Sequence, residues 1–322
     1  EVHTAVVDVP DPRVDRLSAM FKPKKTIYAK VTYSDIAGLD GSADKGGISG
    51  TLLNQLTQMD GFIHVVRCFE DDNVIHPMMS VDPVRDVQVM DGEFILNDLI
   101  AVERKLERLA EERKKGGGRD RAVVDHEIAL FQRFQEALGA EIPLRDLDIT
   151  PEEEKALSGF GFLSRKPLLI VLNISEGQTP PQIPYDHKHS TFVALQARLE
   201  MEIAQLPPDE AEIFLAEYGI EEPSLHRMIR LSYDLLGLQS FFTVGPDEVR
   251  AWTVRCGATA PEAAGEIHTD LQKGFIRAEV VSYDDLVTFG GMNEVKAHGK
   301  FHLEGKEYIV KDGDILNIRF NI

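Results

Sequence analysis

Two short stretches and one histidine carry the side chains best suited to chemistry. Asp35-Ile36-Ala37-Gly38 has the form Asp-x-x-Gly and follows a β-rich run, Tyr28 to Ser34. A carboxylate at a strand end is suited to hold Mg²⁺, usually through water, and the backbone N–H of a nearby glycine can meet the terminal phosphate of a nucleotide. Asp35 is therefore the candidate metal and nucleotide residue, and Gly38 its companion at the phosphate. Asn173-Ile174-Ser175-Glu176 closes a second apolar run, Pro167 to Leu172. A carboxamide both donates and accepts, so Asn173 can pair with a ring edge such as N6 and N7 of an adenine, with Glu176 supporting the loop rather than reading the ring. The competing reading of Asn173 is a loop cap that satisfies nearby backbone. His76, in Asn73-Val74-Ile75-His76 beyond the run that ends at Cys68, could take a proton near neutral pH. It equally fits a loop histidine with no catalytic work.

Residues of these kinds need strands to hold them, and the surrounding pattern supplies strands. Over residues 1–94, apolar β-rich runs alternate with helix-like stretches. The alternation resumes over 148–237 with Pro167-Leu168-Leu169-Ile170-Val171-Leu172, a run short enough for a strand buried on both faces. The expected class is α/β with a mostly parallel sheet. Residues 95–147 differ in character. Ile95, Leu99, Val102, Leu106 and Leu109 recur at steps of four and three, Gly116-Gly117-Gly118 interrupts, and Val124, Ile128, Phe131 and Leu138 resume the spacing. An inserted antiparallel helical hairpin of coiled-coil type is expected, either a partner-binding arm or a self-satisfied decoration. Helices are also expected over 195–206, 208–218 and 225–236, ending at Gly237. His187 and His189 fall in a proline-rich loop without a third ligand at metal-site spacing, and read as loop histidines.

Composition narrows the partners. The chain has 322 residues, 43% of them apolar, enough for two or three domains. A formal net charge of −19 argues against generic binding to DNA or RNA phosphates, so an RNA partner would need a local basic face. Cys68 and Cys256 lie far apart with no metal-type spacing, which fits a reducing cytoplasm. No apolar run approaches the ~20 residues of a membrane helix, and no membrane partner is expected.

Residues 238–322 read as a small β-grasp module, with Trp252, Val254, Phe275, Ile276, Val280 and Val281 in short β-rich runs bounded by Gly257, Pro261 and Gly265. Tyr308-Ile309-Val310 and Ile315-Leu316-Asn317-Ile318 are expected to close as a hairpin through Lys311-Asp312-Gly313-Asp314, where Asp-Gly supplies positive φ. Within this module lie Val249-Arg250-Ala251-Trp252-Thr253, Ala264-Gly265-Glu266-Ile267-His268-Thr269-Asp270 and Lys273-Gly274-Phe275-Ile276-Arg277-Ala278. Upstream are Val9-Pro10-Asp11-Pro12-Arg13, Asp35-Ile36-Ala37-Gly38-Leu39 and His64-Val65-Val66-Arg67-Cys68-Phe69-Glu70.

In this order the segments closely resemble the YchF family, or Obg-like ATPases, over nearly the whole chain. The resemblance implies a P-loop nucleotide-hydrolase fold and a C-terminal TGS domain at 238–322. It further implies a cytoplasmic, ribosome-associated switch that binds and slowly hydrolyses ATP, or GTP, with Mg²⁺. The family has a hydrophobic residue, here Leu39, where a Ras-like enzyme has the glutamine that orients water. It also puts His76 on a mobile loop. The family's Asn-x-x-Glu, here Asn173 to Glu176, stands in place of Asn-Lys-x-Asp and implies adenine over guanine. Gln196-Ala197-Arg198-Leu199-Glu200 corresponds to the second base-flanking segment, where Ala197 would let backbone approach the base.

The chain also departs from the family. It contains no Gly-x-x-x-x-Gly-Lys-Ser/Thr, the loop that cradles phosphates. The resemblance places that loop and the first switch threonine before Glu1. A preceding segment is expected, because a sheet without its first strand would leave a central edge unpaired; the alternative is a native protein that lacks the loop. As written, the chain should bind nucleotide poorly. The run Gly41 to Gly50 is altered around Asp40, Asp44 and Ile48 and appears one residue short. That supports a second reading: a non-hydrolysing interaction or RNA-binding protein using the helical hairpin and the TGS module. Arg255, Lys273 and Arg277 near Trp252 and Phe275 would supply charge and stacking, although core packing competes for both aromatics.

Overall fold

The computed structural model describes residues 3–36, 48, 50–116, 118–157 and 159–321. The chain forms two compact units, Glu1–Ile36 with Leu225–Ile322, and Ala37–Ser224. The mixed α/β class is as expected, but the units cut across the sequence blocks. Residues 1–36, grouped with 37–94 by their alternation, pack with the C-terminal module instead.

The N-terminal segment shows why. Strands β1 (His3–Asp8) and β3 (Lys30–Asp35) pair antiparallel, with His3 opposite Asp35. Between them lie helix α1 (Pro12–Phe21) and strand β2 (Lys25–Ile27). Asp11 starts α1 by accepting from Arg13 N at 3.0 Å, and Pro12 takes the first helical position, where its missing N–H costs nothing. Val14 and Leu17 are fully buried with Phe242, Val249 and Ile315 in one core. β2 runs parallel to residues 248–250, Lys25 opposite Glu248. The partner lies more than 200 residues away, beyond the reach of local periodicity.

Among the described residues, the first helix of the second unit is α2 (Gly50–Thr57), and the unit carries the parallel strands β4 (Phe62–Arg67), β5 (Leu168–Asn173) and β6 (Ser190–Leu195) in the order β4-β5-β6. Central β5 is buried from Leu168 through Leu172, the outcome its unbroken apolar run predicts. Helix α3 (Pro83–Lys115) starts at an Asp82 cap, ahead of the expected boundary at 95. Its first turns cover the sheet, Val87 packing with Val66, Cys68 and Ile170, and the Phe94 ring lying 4.9 Å from Phe62. Farther along, Ile95, Val102 and Leu109 meet Val124, Phe131 and Leu138 of helix α4 (Arg121–Gly139). At the turn Gly116 and Gly118 adopt φ of 60° and 128°, and Arg119 ties Glu112 to Glu127 at 2.8 and 2.6 Å.

Short helix α5 (Pro151–Ala156) follows. Buried Asp98 on α3 accepts from Leu163 N, Ser164 N and Ser164 Oγ at 2.8, 2.7 and 2.5 Å. Fully buried Arg145 donates to Asp91 and Tyr185 at 2.8 and 2.5 Å. These bonds fasten the return segment to α3 and offset the cost of burying its charged groups, while Arg145 Nε has no partner among the described residues. Helices α6 (Ala197–Gln205) and α7 (Pro208–Glu217) complete the unit, and α8 (Ser224–Leu235) leads out to Gly237, whose φ is 68°.

The C-terminal module contains β7 (Leu238–Thr243), β8 (Glu248–Arg255), α9 (Ala260–Ile267), α10 (Thr269–Lys273), β9 (Phe275–Ser282), α11 (Tyr283–Phe289), α12 (Met292–Ala297), β10 (His302–Glu304) and β11 (Asp314–Phe320). The sheet order is β10-β9-β11-β7-β8-β2, with β11 antiparallel to β9 and parallel to β7. Ala260, Ala263 and Ala264 of α9 pack on Phe241, Val254 and Phe275.

The hairpin expected between 308–310 and 315–318 does not form. Ile309 makes only an isolated bridge to Thr259, while Ile315 and Leu316 are buried in an interior strand, which needs partners on both sides. The turn itself is real. Gly313 has φ 86°, and Asp314 accepts from Lys311 N and Tyr308 Oη at 2.9 and 2.7 Å.

Candidate functional site

The parallel strands of the 37–224 unit end level, with Arg67, Asn173 and Leu195 in register. Ligands of open parallel sheets bind outside such carboxyl ends. Asn173 Oδ1 accepts from Ala197 N at 3.3 Å, so two expected base-site residues from different strand ends come together. That bond is also the loop-capping role open to Asn173. It occupies one lone pair of Oδ1, while Nδ2 makes no hydrogen bond among the described residues. Cys68 N donates to Asn173 O at 2.9 Å and Ile174 N to Leu195 O at 3.0 Å, continuing the ladder past the strand ends. Ile174 is buried in the sheet core, and Glu176 is exposed in the loop.

Two further residues belong here. Gln178 donates to Cys68 O at 2.5 Å and accepts from Ser175 N at 2.9 Å, locking the loop that contains Glu176. Gln196 has its Oε1 buried without a partner among the described residues. Sequence reasoning missed Gln178; its only local signal is the Ser-x-x-Gln spacing of a side-chain-closed loop.

His76 follows β4 in a loop braced by the elements on either side of it. Its Nδ1 accepts from Met78 N at 3.0 Å and its Nε2 lies 3.0 Å from Asp86 Oδ2, which puts the proton of the neutral ring on Nε2. Arg67 holds the same loop by donating to Phe69 O, Val74 O and Asp71 O at 3.0, 2.7 and 3.1 Å. His64 on β4 is pushed down to a pKa of about 4 by burial, only partly offset by Asp86 and Asp91.

Asp35 ends β3 in the other unit, exposed and without a hydrogen-bond partner among the described residues. Gly38, with Leu39, Asp40 and Asp44, lies outside the described residues. No group of three metal-ligating side chains occurs among the described residues. A single strand-end carboxylate still fits Mg²⁺, which keeps several waters and is held by one or two carboxylates plus phosphate oxygens. His187 is paired through Nδ1 to Asp146 at 2.7 Å, in keeping with a loop histidine. Trp252 is half-buried, donating to Thr243 Oγ1 at 2.9 Å beneath the Arg250 guanidinium, 3.9 Å from its ring centroid.

Residues 238–321 match the family profile YchF-GTPase_C, described as "Protein of unknown function (DUF933)". Over 330 residues the chain is 41% identical to the Ribosome-binding ATPase YchF of Shigella flexneri, covering 100% of this chain and 90% of that protein. The chain belongs to the YchF family. The Bacillus subtilis Ribosome-binding ATPase YchF is 39% identical over 331 residues, with 99% and 89% covered. Obg-like ATPase 1 of Oryza sativa subsp. japonica is 36% identical over 329 residues, with 99% and 82% covered. The YchF GTPase of Schizosaccharomyces pombe superposes with a TM-score of 0.88 at 32% identity, over 98% of this chain and 87% of the other. YchF membership thus rests on both units and not on the C-terminal module alone.

Proposed function

We propose that this YchF chain is a nucleotide-binding switch that binds and slowly hydrolyses ATP with Mg²⁺, in preference to GTP, and associates with the ribosome. The observation that carries the nucleotide reading is the meeting of Asn173 and Ala197 at the carboxyl ends of the parallel strands, with Asn173 Nδ2 uncommitted among the described residues. Nδ2 would donate to adenine N7, while the second lone pair of Oδ1 accepts from N6. Ile174 anchors the loop in the core, Ala197 keeps backbone close to the base, and Glu176 supports the loop. Asp35 would hold Mg²⁺ through water and Gly38 N–H would meet the terminal phosphate. Bound Mg²⁺ would neutralise charge developing on the phosphate oxygens. Leu39 cannot orient water, and His76 is the proposed substitute once its pair with Asp86 opens. The ribosome enters from the names of the relatives from S. flexneri and B. subtilis.

Titration of the full-length protein with fluorescent ATP and GTP, with and without Mg²⁺, tests this reading. ATP should bind at least about tenfold more tightly than GTP, and Asn173→Ala should remove about that factor, roughly 1.4 kcal/mol. His76→Ala should slow hydrolysis with little change in affinity. Absence of nucleotide binding by the full-length protein would sink the switch. One observation favours RNA contact as a second reading. Arg255, Lys273 and Arg277 are all exposed, and Arg277 sits opposite Arg319 in the β9–β11 register.

A further inference from the structure

We infer that the loop between β4 and α3 is a docking surface for a basic protein segment of the ribosome that carries an apolar side chain. The inference rests on the ribosome reading above and adds where contact is made and by what chemistry. Four apolar side chains within six residues of this loop are exposed: Val74 51%, Ile75 81%, Met78 43% and Met79 83%. Single exposed apolar residues need no explanation, but four within one short loop do.

The exposure does not come from slack chain. Arg67 donates to three loop carbonyls, Val74 N bonds Asp71 O at 3.2 Å, and Met79 N bonds His76 O at 2.8 Å. Arg85 ties Ser80 at 2.8 Å, and His76 is held by Asp86 and Met78 N. Met79 is kept at φ 63°, a left-handed conformation that a non-glycine residue adopts only where the surrounding structure holds it. A surface already ordered loses little entropy when a partner arrives, and methionines adapt their shape to what they meet.

Charge selects the partner. Glu70 and Asp72 are exposed beside the apolar residues and make no ion pair among the described residues, while Arg67 donates to loop carbonyls and Arg85 to Ser80 and Asp86. An acidic rim repels RNA phosphates and attracts lysine and arginine, so at this loop a basic protein segment is favoured over RNA. The loop leaves β4 beside Cys68, which is bonded to both Asn173 and Gln178. The docking surface therefore adjoins the strand ends assigned to the nucleotide base.

Purified ribosomes are the probe, with the full-length protein in a co-sedimentation assay. Two double variants are compared with wild type, Ile75→Ser with Met79→Ser, and Glu70→Lys with Asp72→Lys. Both pairs are exposed, and unchanged circular dichroism would confirm folding. Each should weaken ribosome binding by about tenfold or more, as expected for anchor residues. A photoreactive phenylalanine analogue at position 79 should crosslink to ribosomal protein. If wild type itself does not sediment, the ribosome reading fails and takes this inference with it. If wild type binds and both variants bind within about twofold of it, or the crosslink falls on ribosomal RNA, the docking surface is overturned while the ribosome reading stands.

Discussion

His64 and Asp98 give the 37–224 unit two opposed pH dependences. Half-buried His64 is kept neutral down to a pKa of about 4 by desolvation of its ring, whereas an unfolded imidazole protonates near 6.5. The unfolded state therefore binds more protons between those values, and stability present above pH 6.5 is lost as pH falls through about 4. Asp98 runs the other way. Burial lifts its carboxyl to about 6, against bonds from Ser164 and Leu163 and the charge of Arg145 that favour ionisation. Its contribution is full below about 3.8 and is lost as pH rises through about 6. His64→Phe should flatten the acid limb between pH 6.5 and 4 by on the order of 3 kcal/mol, read as urea midpoints across that range. An unchanged limb would mean that the imidazole is not desolvated.

Helix α3 does two jobs along its length. Its early turns close the parallel sheet through Val87 and Phe94, and its later turns form the hairpin seam through Ile95, Val102 and Leu109. The seam was legible in the sequence because a step of four and three puts side chains on one stripe. The start at Pro83 was not, because the residues that cover the sheet interrupt that stripe. Leu109 is fully buried near the hairpin turn, far along the helix from the sheet contacts. Leu109→Ala should cost about 2–5 kcal/mol locally. Faster hydrogen exchange should appear over the distal parts of α3 and α4 while β5 amides keep their protection. Equal loss of protection in β5 would show that hairpin and sheet unfold as one.

At the scale of the whole molecule, the chain's first residues fold with its last. Leu17→Ala, in the core shared with Phe242 and Val249, should destabilise the unit that holds the C-terminal sheet by about 2–5 kcal/mol. The chain's only tryptophan, Trp252, lies in that unit, so its fluorescence reports the transition directly. A Trp252 unfolding midpoint unmoved by Leu17→Ala would show that α1 is a passive attachment. The sequence by itself determined the periods: the buried run of β5, the hairpin seam, the β-rich C-terminal module and the polar residues at strand ends. A period records which face of an element is buried. It does not record which surface buries it. Tertiary structure alone decided that β2 pairs with β8, that β11 lies between β9 and β7 and makes no hairpin with 308–310, and that Asn173 meets Ala197. Each joins residues distant in sequence, or chooses one partner among several with the same local pattern, and that choice depends on the packing of the completed core.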